Sequence, residues 1–240
     1  MPRTMPVYQL ISQLVFPPPE LAEPEGLLAV GGDLSPERLL LAYSSGIFPW
    51  YNETDPILWW SPDPRCILEP DQLRISHRLA RTLRRKTFAV TFDRSFNAVI
   101  EACGAVRTEN GEGTWLSRDM IDAYRRLHTL GFAHSVECWQ GEHLVGGLYG
   151  VALGRCFFGE SMFHRQTDAS KVAFVTLALR LREEGVELID CQLPTAHLAS
   201  LGAEEITRSD FLQRLRAGGV VPSTLPERSP LLSRSLSDYP

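Results

Sequence analysis

Apolar and polar positions change their spacing near residue 65. From Cys66 onward, strand-like and helix-like periods alternate. Residues 119–131 place Met120, Ile121, Tyr124, Leu127 and Leu130 at helical spacing, with Gly131 as a stop. The segment 168–184 is apolar on most sides, which predicts a buried helix. Residues 133–139, 143–153 and 155–163 read as three successive strands, joined by the turns Gln140-Gly141-Glu142 and Gly154-Arg155. Shorter runs predict strands at 66–70, 88–92 and 186–192, and helices at 71–86, 94–104 and 208–216. This order predicts an α/β (α+β) fold around a mixed, curved sheet.

Ahead of residue 65, Pro, Gly and Trp interrupt the pattern too often for long elements. One helix is legible there, with Ser35 as N-cap, Pro36 at its first position, Glu37 in its first turn and Gly46 at its end. The chain therefore divides into a small N-terminal domain of turns and one helix (1–64), a main domain (65–222) and a loose tail (223–240). The sequence Ser61-Pro62-Asp63-Pro64 marks the first boundary.

Composition narrows the function classes. With 240 residues, 44% apolar and 22% charged, the chain has ample material for a core and wholesale disorder is excluded. A formal charge of −5, from 24 basic and 29 acidic residues, excludes an overall basic nucleic-acid binder but not a local basic patch. No stretch approaches the roughly 20 apolar residues of a membrane helix. The opening MPRTMPVYQL lacks the design of a secretory leader. Five scattered cysteines (Cys66, Cys103, Cys138, Cys156 and Cys191) read as reduced thiols, so a cytoplasmic location is expected. P-loop, dinucleotide-binding and HExxH motifs are all absent, and neither a metal nor a cofactor is expected.

Several residues could carry chemistry. Arg74, Arg78, Arg81, Arg84, Arg85 and Lys86 crowd one predicted helix, and Arg74, Arg78, Arg81 and Arg85 share one face of it. Like charges at that spacing repel by a few tenths of a kcal/mol. The stripe is either a solvated face or a seat for a polyanion such as a phosphate backbone. Strand alternation puts Asp190 and Gln192 on one side of 186–192, as a site or as a structural hydrogen-bond pair. The same alternation turns Cys191 toward the core, away from Asp190 and His197, which argues against a thiol nucleophile. Glu160 and Ser161 follow Gly159 among Phe157, Phe158, Met162 and Phe163, where the carboxylate is either enclosed by apolar groups or reaches water at an edge. Tyr43, Trp50, Trp115, Tyr124 and Leu148 could each be simple packing, although Trp115 sits in a polar loop where a large ring has little core reason to be.

Long blocks then recur in a fixed order: EGLLAVGGDLSPERLLLAY, GIFPWY, DPILWWSPDPR, EGTWLSRDMIDAY, HSVECW, LVGGLYGVALG, FFGESMF, ASK and LIDCQLPTAHLASLGA. Through them the chain resembles the bacterial leucyl/phenylalanyl-tRNA–protein transferases, from about Phe16 to Gly202. The resemblance implies a small N-terminal domain and a main domain of the GNAT acyltransferase type. The loop that holds CoA pyrophosphate in such acyltransferases corresponds here to the glycine-free stretch Arg165–Ser170. It implies an enzyme that moves Leu or Phe, and Met less well, from aminoacyl-tRNA to the α-amine of proteins beginning with Lys or Arg, marking them for degradation. Nothing in the chain demands more than a monomer.

By matching blocks, the resemblance assigns Tyr43, Trp50, Trp115 and Tyr124 to the tRNA 3′-terminal adenosine. Leu148, Phe157, Met162, Phe174, Leu177, Leu181 and Ile189 fall on the pocket for the aminoacyl side chain. Glu160, Asp190 and Gln192 fall on the polar catalytic positions, and the arginine-rich segment on the region that meets the tRNA stem. Gln192 is expected to orient the amine, Asp190 to hold Gln192 or receive a proton, and Glu160 to hold the ribose or the incoming cationic terminus. Two rival readings remain. A CoA-dependent N-acetyltransferase would want the missing glycine loop, and a non-enzymatic RNA-binding module has no use for the Asp190/Gln192 pair.

Overall fold

A computed structural model describes residues 7–109, 116–226 and 228–229. The first part of the chain builds β1 (Tyr8–Leu10), β2 (Leu27–Gly31), α1 (Pro36–Ser44), β3 (Phe48–Pro49) and β4 (Leu58–Trp60). Helix α1 begins as its sequence predicts, with Ser35 Oγ accepting from Arg38 N at 3.4 Å. It stops at Gly46, whose φ of +75° suits glycine and where a Cβ would lie 2.6 Å from Leu212. The four strands form a sheet ordered β1-β2-β4-β3, which the sequence reading missed. Strands of two to five residues are too short to show a period. Trp59 pins this sheet from inside, donating from Nε1 to Gly31 O at 2.9 Å with its ring edge-on to Phe16.

The rest of the chain supplies β5 (Arg65–Leu68), α2 (His77–Arg84), β6 (Ala89–Phe92), α3 (Phe96–Glu109), α4 (Arg118–Thr129), β7 (Ala133–Gln140), β8 (His143–Leu153) and β9 (Cys156–His164). It closes with α5 (Ala169–Glu183), β10 (Leu188–Gln192), α6 (Ala196–Ser200), β11 (Glu204–Ile206) and α7 (Arg208–Ala217). Its seven strands make one mixed sheet, ordered β11-β5-β10-β9-β8-β7-β6. Only β9 and β10 run parallel; the other neighbours are antiparallel. The expected α/β class and mixed sheet are therefore present.

One face of this sheet, including Tyr149, Phe158 and Phe163, shares a core with the small sheet, α1, α3, α4 and α7. The other face, including Leu148, Phe157 and Ile189, lies under α5, whose apolar circumference suits that buried place. The change of sheet falls between Trp60 and Arg65, and one core runs across it.

Two expected elements differ. The predicted helix 71–86 is α-helical only from His77 to Arg84, behind a 3-10 turn at Pro70–Gln72. Ser76 is the reason: its Oγ accepts from Leu79 N at 3.2 Å and starts the helix anew. Arg74 thus lies off the helix, its backbone N–H donating to Leu201 O, and Lys86 takes a positive φ beyond the end. Of the tail expected to be loose, residues 227 and 230–240 lie outside the described residues; Arg228 bridges to Leu153, and Ser229 Oγ donates to Gly154 O at 2.8 Å.

Candidate active site

The ladder between β9 and β10 holds for three pairs, Leu188 with Cys156, Ile189 with Phe157 and Asp190 with Phe158, and then ends. Two irregularities end it. On β9, Gly150 pairs with Gly159 but Tyr149 pairs with Ser161, so Glu160 is the extra residue of a bulge. On β10, the register shifts between Asp190 and Gln192, and Gln192 takes a φ of +63°, rare for a residue with a side chain. Beyond these points the strands leave a cavity of about 460 Å³. That volume falls in the usual range for small-molecule sites. Leu148, Phe157, Met162, Phe174, Leu177 and Ile189 form an apolar wall, while Phe48, Pro49 and Trp50 of the small sheet contribute another.

A polar bridge crosses the gap. Gln192 Nε2 donates to Glu160 Oε1 at 3.0 Å, joining the two diverging strands. Glu160 Oε2 accepts from Tyr124 OH at 2.6 Å, and the Tyr43 and Tyr124 hydroxyls are 2.5 Å apart. Burial raises the Glu160 carboxyl to about 7 and the Asp190 charge adds to the rise, while hydrogen bonds from Tyr124, Tyr43 and Gln192 oppose it. Burial, reinforced by Glu160, holds both tyrosines well above their usual range, so they stay neutral donors.

Asp190 is committed elsewhere. Arg65 grips it through Nε (2.8 Å) and Nη2 (2.7 Å), and both side chains are almost wholly buried. Arg65 also donates to Gly46 O and is flanked by the rings of Phe48 and Phe211, at 4.8 and 4.5 Å. Asp190 Oδ1 further accepts the backbone N–H of Gln192 at 2.9 Å, a side-chain-to-backbone turn that supports the left-handed Gln192. The chain of support therefore runs from Arg65 through Asp190 to Gln192 and Glu160.

A family model described as leucyl/phenylalanyl-tRNA protein transferase matches residues 67–216, and the model of that family's N-terminal domain matches 32–63. The chain belongs to this family. It is an enzyme of the aminoacyltransferase class. The leucyl/phenylalanyl-tRNA–protein transferase of Syntrophotalea carbinolica is 60% identical over 96% of this chain and 100% of its own length. That of Syntrophobacter fumaroxidans is 62% identical over 88% of this chain and 90% of its own. Solved structures are more distant. L-PGS from Bacillus licheniformis gives a TM-score of 0.40 at 13% identity, covering 57% of this chain and 48% of that one. A GCN5-related N-acetyltransferase from Kribbella flavida gives 0.36 at 10%, over 68% and 57%. Likenesses of that size do not bear on function.

Of the aminoacyl-pocket residues expected from the family blocks, Leu148, Phe157, Met162, Phe174, Leu177 and Ile189 line the cavity. Leu181 does not; it is fully buried on α5, in the core between that helix and the sheet. Trp50, 42% exposed, stands at the cavity. Tyr43 and Tyr124, assigned by the family blocks to the terminal adenosine, are both fully buried, with their rings against Phe158 and Tyr149. Their hydroxyls meet each other, and that of Tyr124 reaches Glu160. Trp115 lies outside the described residues.

Gln192 lines the cavity while Asp190 is turned onto Arg65, so the pair does not present two free groups side by side. Cys191, expected in the core, lines the cavity instead because the turn at Gln192 breaks the alternation. Its hydrogen bond with Cys66, and then burial, push the thiol well above its usual range, which still argues against a nucleophile. Arg74, Arg78, Arg81, Arg84, Arg85 and Lys86 are all exposed, and Arg78 lies 3.9 Å from Asp168 at the start of α5. Arg65 carried no sequence signal, being one arginine before a short strand. Among the described residues, no group of three or more His, Cys, Asp or Glu is placed to hold a metal, and no helix is long and apolar enough to cross a membrane.

Proposed function

We propose that this transferase moves Leu or Phe, and Met less well, from aminoacyl-tRNA to the α-amine of proteins whose first residue is Lys or Arg, and that the new N-terminus marks them for degradation. The observation carrying this reading is the apolar cavity closed at one point by the Glu160–Gln192 bridge. It offers an enclosure for one apolar side chain and a polar point for the scissile ester. The turn at Arg165–Ser170 supports a donor other than CoA, because the Arg165 and Gln166 N–H groups both donate to Val145 O and are not free to hold a pyrophosphate.

The chemistry asks little of the protein. An α-amine with pKa about 7.7–8.0 is roughly one-tenth neutral at pH 7, so deprotonation costs only about 1.4 kcal/mol. Holding that amine against the ester carbon can contribute up to ~7–11 kcal/mol. Gln192 spends its amide N–H on Glu160, which leaves its carbonyl oxygen to accept from the amine. Glu160 takes the proton as the C–N bond forms and returns it to the leaving ribose oxygen. Asp190, held by Arg65, is a positioning residue for Gln192. Trp50 serves as the platform for the terminal adenine, and base–aromatic stacking contributes ~1–3 kcal/mol. The exposed basic cluster around α2 takes the tRNA backbone.

A labelled Phe-tRNA mixed with peptides beginning with Arg, Lys or Ser, and with an N-acetylated Arg peptide, tests the reading. Label is expected in the Arg and Lys peptides alone. Label in none of them, or equally in the Ser peptide, would overturn it.

A further inference from the structure

A second polar group stands on the cavity wall, one residue from Glu160. Ser161 is only 8% exposed, and its Oγ has no hydrogen-bond partner. Burying a hydroxyl with nothing to bond is unfavourable, and native folds seldom do so outside functional sites. The β9 bulge accounts for its placement. Glu160 and Ser161 together oppose Tyr149, so the carboxylate and the hydroxyl emerge at the same point of the splayed strands.

Most neighbouring donors are already engaged. Tyr124 OH and one N–H of Gln192 Nε2 serve Glu160, Tyr43 OH is engaged with Tyr124, and Trp60 Nε1 donates to Trp50 O. His197 Nε2 is also buried without a partner at this cavity, but it sits on α6 and not on either strand that carries the bridge. Ester aminolysis is favoured by a fixed donor at the carbonyl oxygen. As the amine adds to the carbonyl carbon, the C=O π bond opens and its oxygen gains a full negative charge, which a fixed hydrogen-bond donor stabilises.

We propose that Ser161 is a further catalytic residue, its hydroxyl donating to the carbonyl oxygen of the aminoacyl ester as that oxygen becomes an oxyanion. This rests on the transfer reaction given above. Ser161 keeps its proton throughout. The amine nitrogen bonds to carbon and gives one proton to Glu160; the C–O bond to the ribose breaks, and that oxygen takes the proton back. The oxyanion re-forms the carbonyl of the new peptide bond.

Ser161→Ala tests this, with single-turnover transfer from labelled Phe-tRNA to an Arg peptide, Phe-tRNA binding and thermal melting all measured on the full chain. The variant is expected to transfer about 10²-fold more slowly, to bind Phe-tRNA as the wild type does, and to melt no lower, since it loses no internal hydrogen bond. Transfer at the wild-type rate overturns the proposal. So does slow transfer accompanied by a lower melting temperature or an equal loss of tRNA binding, which would make the hydroxyl structural. If the wild type itself transfers nothing, the functional reading fails and not the Ser161 assignment alone.

Discussion

At the residue scale, two carboxylates that look equivalent in the sequence have opposite environments. Asp190 faces a buried guanidinium in a paired, doubly hydrogen-bonded geometry, whereas Glu160 is met by neutral donors only. Removing one partner of a buried ion pair leaves the other uncompensated. Asp190→Ala is therefore expected to destabilise the fold by about 3–5 kcal/mol, read as a lower urea midpoint. An unchanged midpoint would show that Arg65 finds water in its place. Glu160 carries a pH dependence. Its folded pKa is raised from 4.5 to about 7, so the folded state holds the proton more tightly and loses relative stability as pH rises through that window. Glu160→Gln removes the effect, and its stability relative to wild type should climb between about pH 4.5 and 7 and then level off. Transfer by the wild type should rise with pH through about 7 as the base ionises, with a further rise as the α-amine deprotonates. The variant should lose the first rise and be slower by ~10²–10⁴. A profile that keeps both rises would remove Glu160 as the base. Glu160 stood out in the sequence because a carboxylate among aromatics is unusual; Arg65 did not, because its partner is 125 residues away.

Among the elements, those with many turns or a long alternation were legible: α1, α4, α5, β7, β8 and β9 all lie where their patterns put them. The strands of the small sheet, α6 and β11 were not, since two to five residues carry no readable period and packing alone decides them. The bulge in β9 and the left-handed turn in β10 were equally hidden, yet these two defects open the cavity. Helix α2 illustrates a partial reading. Leu79 is buried and Leu73 and Leu83 pack against the same core, as their spacing implied, but Ser76 restarts the helix and removes Arg74 from the stripe. Arg81 and Arg85 remain exposed on it, while Arg78 has Asp168 nearby. Arg81→Gln combined with Arg85→Gln should weaken tRNA binding and reduce the slope of log K against log salt by roughly 1–2. An unchanged slope would return the helix to an ordinary solvated face.

For the molecule as a whole, the cavity belongs to neither sheet alone. Strands β9 and β10 open it, α5 roofs its apolar side, and Phe48 to Trp50 of the small sheet close the other. Arg65, at the junction of the two sheets, touches Gly46 and Phe48 on one side and Asp190 on the other, so the packing of the small sheet reaches the Glu160–Gln192 bridge. The longer strands and helices were readable from periodicity, and the family from its blocks, but this meeting of sheets was not, because the cavity brings Phe48–Trp50 to residues about 100 positions away, such as Leu148 and Met162. The decisive measurement is a crystal structure with a non-hydrolysable 3′-amide of phenylalanine and adenosine. The phenyl ring should lie among Leu148, Phe157, Phe174 and Leu177, with the amide beside Gln192 and Ser161 and the adenine against Trp50. An analogue bound elsewhere, with the gap between β9 and β10 left empty, would contradict the assignment.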